Sequence, residues 1–137
     1  MGQKERKVDK ETLFRALADH TRLRLLNLMG EGEVCVCFFV EILGTNQPKI
    51  SRHLAYLRRA GIVAARREGK WMHYRLIQPA DSHAAAVLAG VQAWLASDAQ
   101  MQSDRKRLVK VCCAPELPVQ LQGAPRPARS LESALGV

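Results

Sequence analysis

Apolar residues recur at helical spacing along roughly the first sixty positions, alternate briefly, and then return to helical spacing. Leu13, Phe14 and Leu17 form one stripe behind Asp9-Lys10-Glu11-Thr12, an acidic opening suited to the positive end of a helix dipole. A second helix is predicted over 23–29, capped by Thr21 and stopped at Gly30 and Gly32. A third spans Val36 to Leu43 and ends at Gly44. Thr45 or Asn46 caps a fourth, with Pro48 in its first turn, where a missing N–H is harmless. Its inward face is Ile50, Leu54 and Leu57, and it ends at Gly61. The period then falls to two, so 62–67 and 72–77 read as strands joined at Glu68-Gly69-Lys70. Pro79-Ala80-Asp81-Ser82 starts an Ala-rich helix over 83–96, and a further helical piece covers about 100–111.

The pattern is mostly α with a β-hairpin wing, a winged helix-turn-helix in the order α-α-α-α-β-β-α. Residues 1–8 read as a flexible lead, 9–111 as one domain, and 112–137 as a tail. Four of the six prolines lie from Pro115 onward, and the chain past Leu121 is expected to be largely disordered. A length of 137 residues fits one domain with a modest core. No apolar run approaches a membrane span, and the opening lacks a signal-peptide stretch. The expectation is a cytoplasmic protein with no membrane partner.

Charge changes the picture through its location. The net charge is +8, and the window 47–75 holds eight Lys or Arg against one acid, Glu68. A localised basic stripe is the footprint of a polyanion. The helix, the turn Gly44-Thr45-Asn46 and the next helix make a helix-turn-helix unit, leaving Gln47, Lys49, Ser51, Arg52, His53 and Tyr56 on the outer faces. Gln pairs with adenine, Arg with guanine, Ser with a base or a phosphate, and Lys with phosphate. The first turn normally approaches the bases, which nominates Gln47, Lys49, Ser51 and Arg52. At the hairpin tip, Arg66, Arg67 and Lys70 surround a flexible Gly69 and suit phosphates or an adjacent minor groove. Trp71, Met72 and Tyr74 are expected to pack the hairpin onto the helices, and His73 receives no role.

Four segments carry a family resemblance: 17–26 (LADHTRLRLL), 47–54 (QPKISRHL), 57–63 (LRRAGIV), and 67–76 with Arg67-Glu68-Gly69-Lys70-Trp71 and Tyr74-Arg75-Leu76. In this order they resemble the ArsR/SmtB family of metal-responsive repressors over about 13–96. The resemblance implies a homodimer built from the first helix and the Ala-rich helix, reading double-stranded operator DNA as an inverted repeat. It implies a transcriptional repressor, not an enzyme. No Cys-x-x-Cys motif, cofactor-binding Gly-rich loop or triad-like set points to catalysis.

The four cysteines form two close pairs, Cys35-Val36-Cys37 and Cys112-Cys113, a pattern of metal or redox chemistry in a cytoplasmic chain. Glu33-Val34-Cys35-Val36-Cys37 is similar to the family's arsenic-binding signature. By that resemblance trivalent arsenic or antimony is the inducer, held by three thiolates, and no cofactor is required for folding. Side chains two apart on a regular helix diverge by about 200°, so joint ligation requires an irregular helix start. Val40 stands where the family's third Cys is found. Cys112 or Cys113 is left as a third-ligand donor or as a second site. The alternatives are another soft metal (cadmium, lead, copper) or thiol oxidation as the signal. Asp81-Ser82-His83 matches half of the family's zinc pattern, but Trp94 and Ser97 occupy the partner positions, which favours Asp81 as a helix cap.

Overall fold

A computed structural model describes residues 8–112, 117 and 121–127. The described chain runs α1 (Lys10–Leu17), α2 (His20–Leu28), a 3-10 turn (Met29–Glu31), β1 (Val34–Cys35), α3 (Val36–Leu43), α4 (Gln47–Arg59), β2 (Val63–Glu68), β3 (Trp71–Leu76), α5 (Ser82–Ala96) and α6 (Ala99–Cys112). This is the winged helix-turn-helix architecture expected from the pattern, with one extra strand and α6 as a full helix.

Local chemistry sets the helix boundaries. Asp9 caps α1 by accepting from the Thr12 amide. The cap of α2 is Asp19, not Thr21: its extended backbone (φ −151°, ψ 130°) lets the carboxylate accept the Arg22 N–H at 3.0 Å, so the helix starts three residues earlier than 23. Asn46, one of the two candidates, caps α4 through the Lys49 amide at 3.0 Å. Gly44 ends α3 in the left-handed region at φ 67°, and its N–H reaches the Val40 carbonyl at 3.0 Å. That left-handed residue turns the chain sharply into α4. Any side chain at 44 would be strained.

The sheet has the order β1-β3-β2, all antiparallel. β2 and β3 pair from Val63–Leu76 to Glu68–Trp71, which leaves a two-residue turn, Gly69-Lys70, with Gly69 at φ 60°. The tight turn places each strand one residue away from the expected 62–67 and 72–77. β1 is two residues long, too short to show alternation in the sequence. It sets Cys35 opposite His73, and His73 in turn lies opposite Arg66.

The core joins Leu25, Leu26, Phe38, Phe39, Ile42, Ile50, Leu54, Leu57 and Ile62, all essentially inaccessible to water. Burying each contributes about 1.5–3 kcal/mol as an upper bound. α6 closes this core against α2 and α3. Asn27 Nδ2 donates to the Met101 carbonyl at 2.8 Å, and Arg107 Nη1 donates to the Ile42 carbonyl at 2.8 Å. The expected tail contributes a packed piece: Leu121 and Ala124 are buried, and Arg126 Nη1 donates to the Cys112 carbonyl at 3.2 Å.

Candidate functional site

Three buried side chains, Ile50, Leu54 and Leu57, seat α4 on the core and so fix which residues it presents outward. Gln47, Lys49 and Arg52 are exposed along its first turns, and Ser51 is half-buried beside them. An open concavity of about 550 Å³ runs between α2, the α3–α4 turn and α4, lined by Thr21, Arg24, Thr45, Lys49 and Arg52 among others. Hydroxyls and cations in one groove suit a phosphate backbone.

His53 and Tyr56 sit differently. His53 Nδ1 lies 3.4 Å from Arg22 Nη1 and 3.8 Å from an Asp19 carboxylate oxygen. The Arg22 guanidinium lies over the Tyr56 ring at 4.2 Å, and its other nitrogens donate to the Ala16 and Arg15 carbonyls at 2.8 and 2.9 Å. Both half-buried side chains therefore clamp α4 to α2 through Arg22, a residue to which the sequence pattern gave no part.

In the wing, Arg67 and Lys70 are exposed at the tip, with Lys70 Nζ 4.9 Å from the Trp71 ring centroid. Arg66 is engaged elsewhere. Its guanidinium grips Glu33 with contacts of 2.7, 3.1 and 3.2 Å, which holds the Glu33 carboxyl below the usual range. Buried His73, between them on β3, places Nε2 2.9 Å from Glu68 Oε1 and Nδ1 3.9 Å from Glu33 Oε1. Glu33 and His73 escape sequence reading because β1, which brings them to the wing, leaves no periodic trace.

The thiols meet through the same strand. Cys35 is not on the helix: it ends β1 and caps α3 with extended backbone, φ −71° and ψ 142°. That geometry removes the 200° divergence of a regular helix. Cys37 Sγ, half-buried, donates to buried Cys35 Sγ at 3.3 Å. This hydrogen bond brings the Cys35 thiol down to about 6 against the cost of burial, with help from the Cys37 and Val36 amides and from nearby His73. The same bond, with burial, pushes the Cys37 thiol far up. The pair is poised as one thiolate and one thiol.

Cys112 is buried at the end of α6, its Sγ 3.4 Å from the Val109 carbonyl. Among the described residues no group of three or more His, Cys, Asp or Glu that could hold an ion is found. Cys113 lies outside the described residues. Asp81 Oδ1 accepts the His83 and Ala84 amides at 2.8 and 3.1 Å, the geometry of a cap. No described helix is long and apolar enough to cross a membrane.

A helix-turn-helix backed by a basic hairpin defines a winged-helix DNA-binding regulator. Residues 19–65 match the family described as bacterial regulatory protein, arsR family. The arsenical resistance operon repressor of Escherichia coli is 42% identical over 103 residues, covering 74% of this chain and 86% of that protein. The arsenic resistance transcriptional regulator ArsR1 of Pseudomonas putida is 49% identical over 92 residues, covering 64% and 72%. Among solved structures, the homodimeric winged helix-turn-helix DNA-binding domain of a Mycobacterium bovis regulator superimposes with a TM-score of 0.52 at 34% identity, covering 61% of this chain and 75% of that one. The chain belongs to the ArsR family and is a DNA-binding transcriptional repressor of that family.

Proposed function

We propose that this protein is a homodimeric repressor that leaves its operator when trivalent arsenic or antimony binds Cys35 and Cys37. The observation that carries this reading is the 3.3 Å separation of the two sulfurs. Two thiolates about 2.3 Å from one ion, with a bond angle near a right angle, stand about 3.3 Å apart. The names of the two bacterial relatives point to the same inducer class.

The residues supply the chemistry as follows. Cys35 enters as a thiolate; the proton of Cys37 leaves with one displaced arsenite hydroxyl as water, and solvent supplies the proton for the other. The third donor comes from outside the pair: a partner chain, Cys113, or a small solvent thiol or hydroxide. Cys112 and Cys113 stand as that donor or as a second site. Because Cys35 is the cap of α3, a third donor drawn to the ion on the preformed pair pulls on the start of α3, which leads through Gly44 into α4. Gln47, Lys49, Ser51 and Arg52 face the major groove, Arg67 and Lys70 the flanking phosphates. His53 and Tyr56 hold α4 in place. A coupling of ~1–3 kcal/mol between the sites corresponds to a change of about 5–150-fold in operator affinity.

Exposed apolar surface supports dimerisation. Phe14 on α1 is 56% exposed and Trp94 on α5 is 78% exposed, beside the exposed small residues Ala86, Ala89, Gly90 and Ala93.

The experiment is operator binding with and without arsenite, in reductant, for the parent, Cys35→Ser and Cys37→Ser. The expected result is arsenite release of the parent alone. Full release of both variants would remove the site assignment, and release by cadmium or lead but not arsenite would replace the inducer.

A further inference from the structure

We infer that the wing is a second output of the Cys35–Cys37 pair, driven through Glu33, which acts as a positioning residue for Arg66. This rests on the reading of Cys35 and Cys37 as the inducer site.

The connection is short and continuous. Glu33 precedes Cys35 by two residues in an extended segment, so a displacement of Cys35 is carried into Glu33 by backbone alone. Glu33 grips Arg66 across the sheet with contacts of 2.7, 3.1 and 3.2 Å. Cys35 faces His73 on β3, and His73 faces Arg66 on β2, so the three lie in one row across the three strands. Beneath that row His73 is 95% withdrawn from solvent and is held to Glu68 at 2.9 Å, the last residue of β2 before the wing turn. Arg66 Nη2 also reaches Glu68 Oε1 at 3.8 Å. Every link from Cys35 to the wing tip is therefore continuous backbone, a strand pairing or a polar contact.

The chemistry of the clamp explains its use. A bidentate guanidinium–carboxylate grip has one preferred geometry, so it sets where β2 lies relative to β1. The exposed cations Arg67 and Lys70 lie beyond it and take their direction from the hairpin it anchors. With the sulfurs unligated, Glu33 holds the hairpin in its DNA-facing position. When the third donor closes on the ion, Cys35 is displaced and pulls Glu33 out of register with Arg66, and the wing loses its aim while α4 shifts independently through α3.

The test follows the two Trp indole N–H signals by NMR during arsenite titration of the full-length protein, with the Trp71 signal assigned by comparison with Trp94→Phe. Ultraviolet sulfur–arsenic absorption is read on the same samples. The parent is expected to develop the absorption and shift the Trp71 signal together. Glu33→Gln is expected to keep the absorption, lose most of the Trp71 shift, and bind operator ~2–5-fold more weakly without arsenite while matching the parent with it. Glu33→Asp restores part of the Trp71 response. Absorption in the parent with a silent Trp71, or an undiminished Trp71 shift in Glu33→Gln, overturns the coupling and leaves the inducer site standing. Equal weakening of Glu33→Gln with and without arsenite also overturns it, because that is a static charge effect. Absence of sulfur–arsenic absorption in the parent overturns the inducer site, and this inference with it.

Discussion

Arg24 and Asp104, eighty positions apart, form a two-bond ion pair at 2.7 and 3.0 Å that ties α6 to α2. The side chain of Asp104 is 5% exposed and that of Arg24 17%, and Arg24 also lines the groove beside α4. The pair makes α6 part of the reading head's foundation.

Its two halves are unequal. Removing Arg24 strands a carboxylate with little access to water, whereas removing the charge of Asp104 leaves a guanidinium that can turn outward. Arg24→Ala is expected to cost about 3 kcal/mol of folding stability, and Asp104→Asn about 1 kcal/mol. Urea unfolding of both variants checks the order. A larger loss for Asp104→Asn would show that Arg24 has no escape to solvent.

The thiolate pair carries a pH signature. With Cys35 brought down to about 6 by the Cys37 hydrogen bond, one thiolate per pair is expected to form as pH rises through about 6, well before an ordinary thiol ionises. Arsenous acid gives up its hydroxyls as water, so its uptake by the pair is proton-neutral below that pH and takes up about one proton per pair above it. Cys37→Ala removes the donor while burial persists, so the Cys35 midpoint moves up to the ordinary thiol range or higher. Ultraviolet thiolate absorption against pH, in a Cys112→Ser, Cys113→Ser background, reads both midpoints. An unchanged midpoint in Cys37→Ala would assign the shift to the helix amides instead.

DNA contacts separate by type. On the proposed reading Lys49 meets a phosphate, so Lys49→Ala is expected to weaken all sequences alike and to flatten the salt dependence by about one phosphate's worth, a slope change of ~0.9. On the same reading Gln47 and Arg52 meet base edges, so Gln47→Ala or Arg52→Ala is expected to cost ~1–3 kcal/mol on the operator and to relax preference at a single base pair. Fluorescence anisotropy over a salt series, on operator and scrambled duplexes, distinguishes the two patterns. Loss of slope without loss of preference at Arg52 would move that residue to the backbone class.

The helices and the hairpin were legible because each has a period, a cap and a stop: Asn46 with Pro48, Gly44, and the inward row Ile50–Leu54–Leu57. Outward-facing residues on α4 followed from the same arithmetic. What stayed hidden depends on contacts between distant segments. Arg22 looks like any helix cation until α4 lies across it and takes His53 and Tyr56 into the clamp. β1 is two residues long, and only its pairing with β3 brings Glu33, Cys35, His73 and Arg66 together. The irregularity that joint ligation required at Cys35 could be stated as a condition from helix geometry. Its form, a strand end serving as a helix cap, needed the fold.

The last expectation concerns assembly. Trp94 and the small residues around it make an apolar stripe on α5, close to what a self-complementary two-fold contact needs, and Phe14 extends the apolar surface on α1. Trp94 is 78% exposed, so Trp94→Glu is expected to leave the fold of the single chain intact and to lower its melting only by the association it loses. Placed at a two-fold interface, the same change buries a carboxylate against apolar surface from the partner, which the contact does not survive. Sedimentation is expected to show a dimer for the parent and a monomer for Trp94→Glu. Operator affinity then falls by ~10²–10⁴, because the second half-site is no longer tethered to the first. A dimeric Trp94→Glu with parental operator affinity would place the two-fold contact on another face.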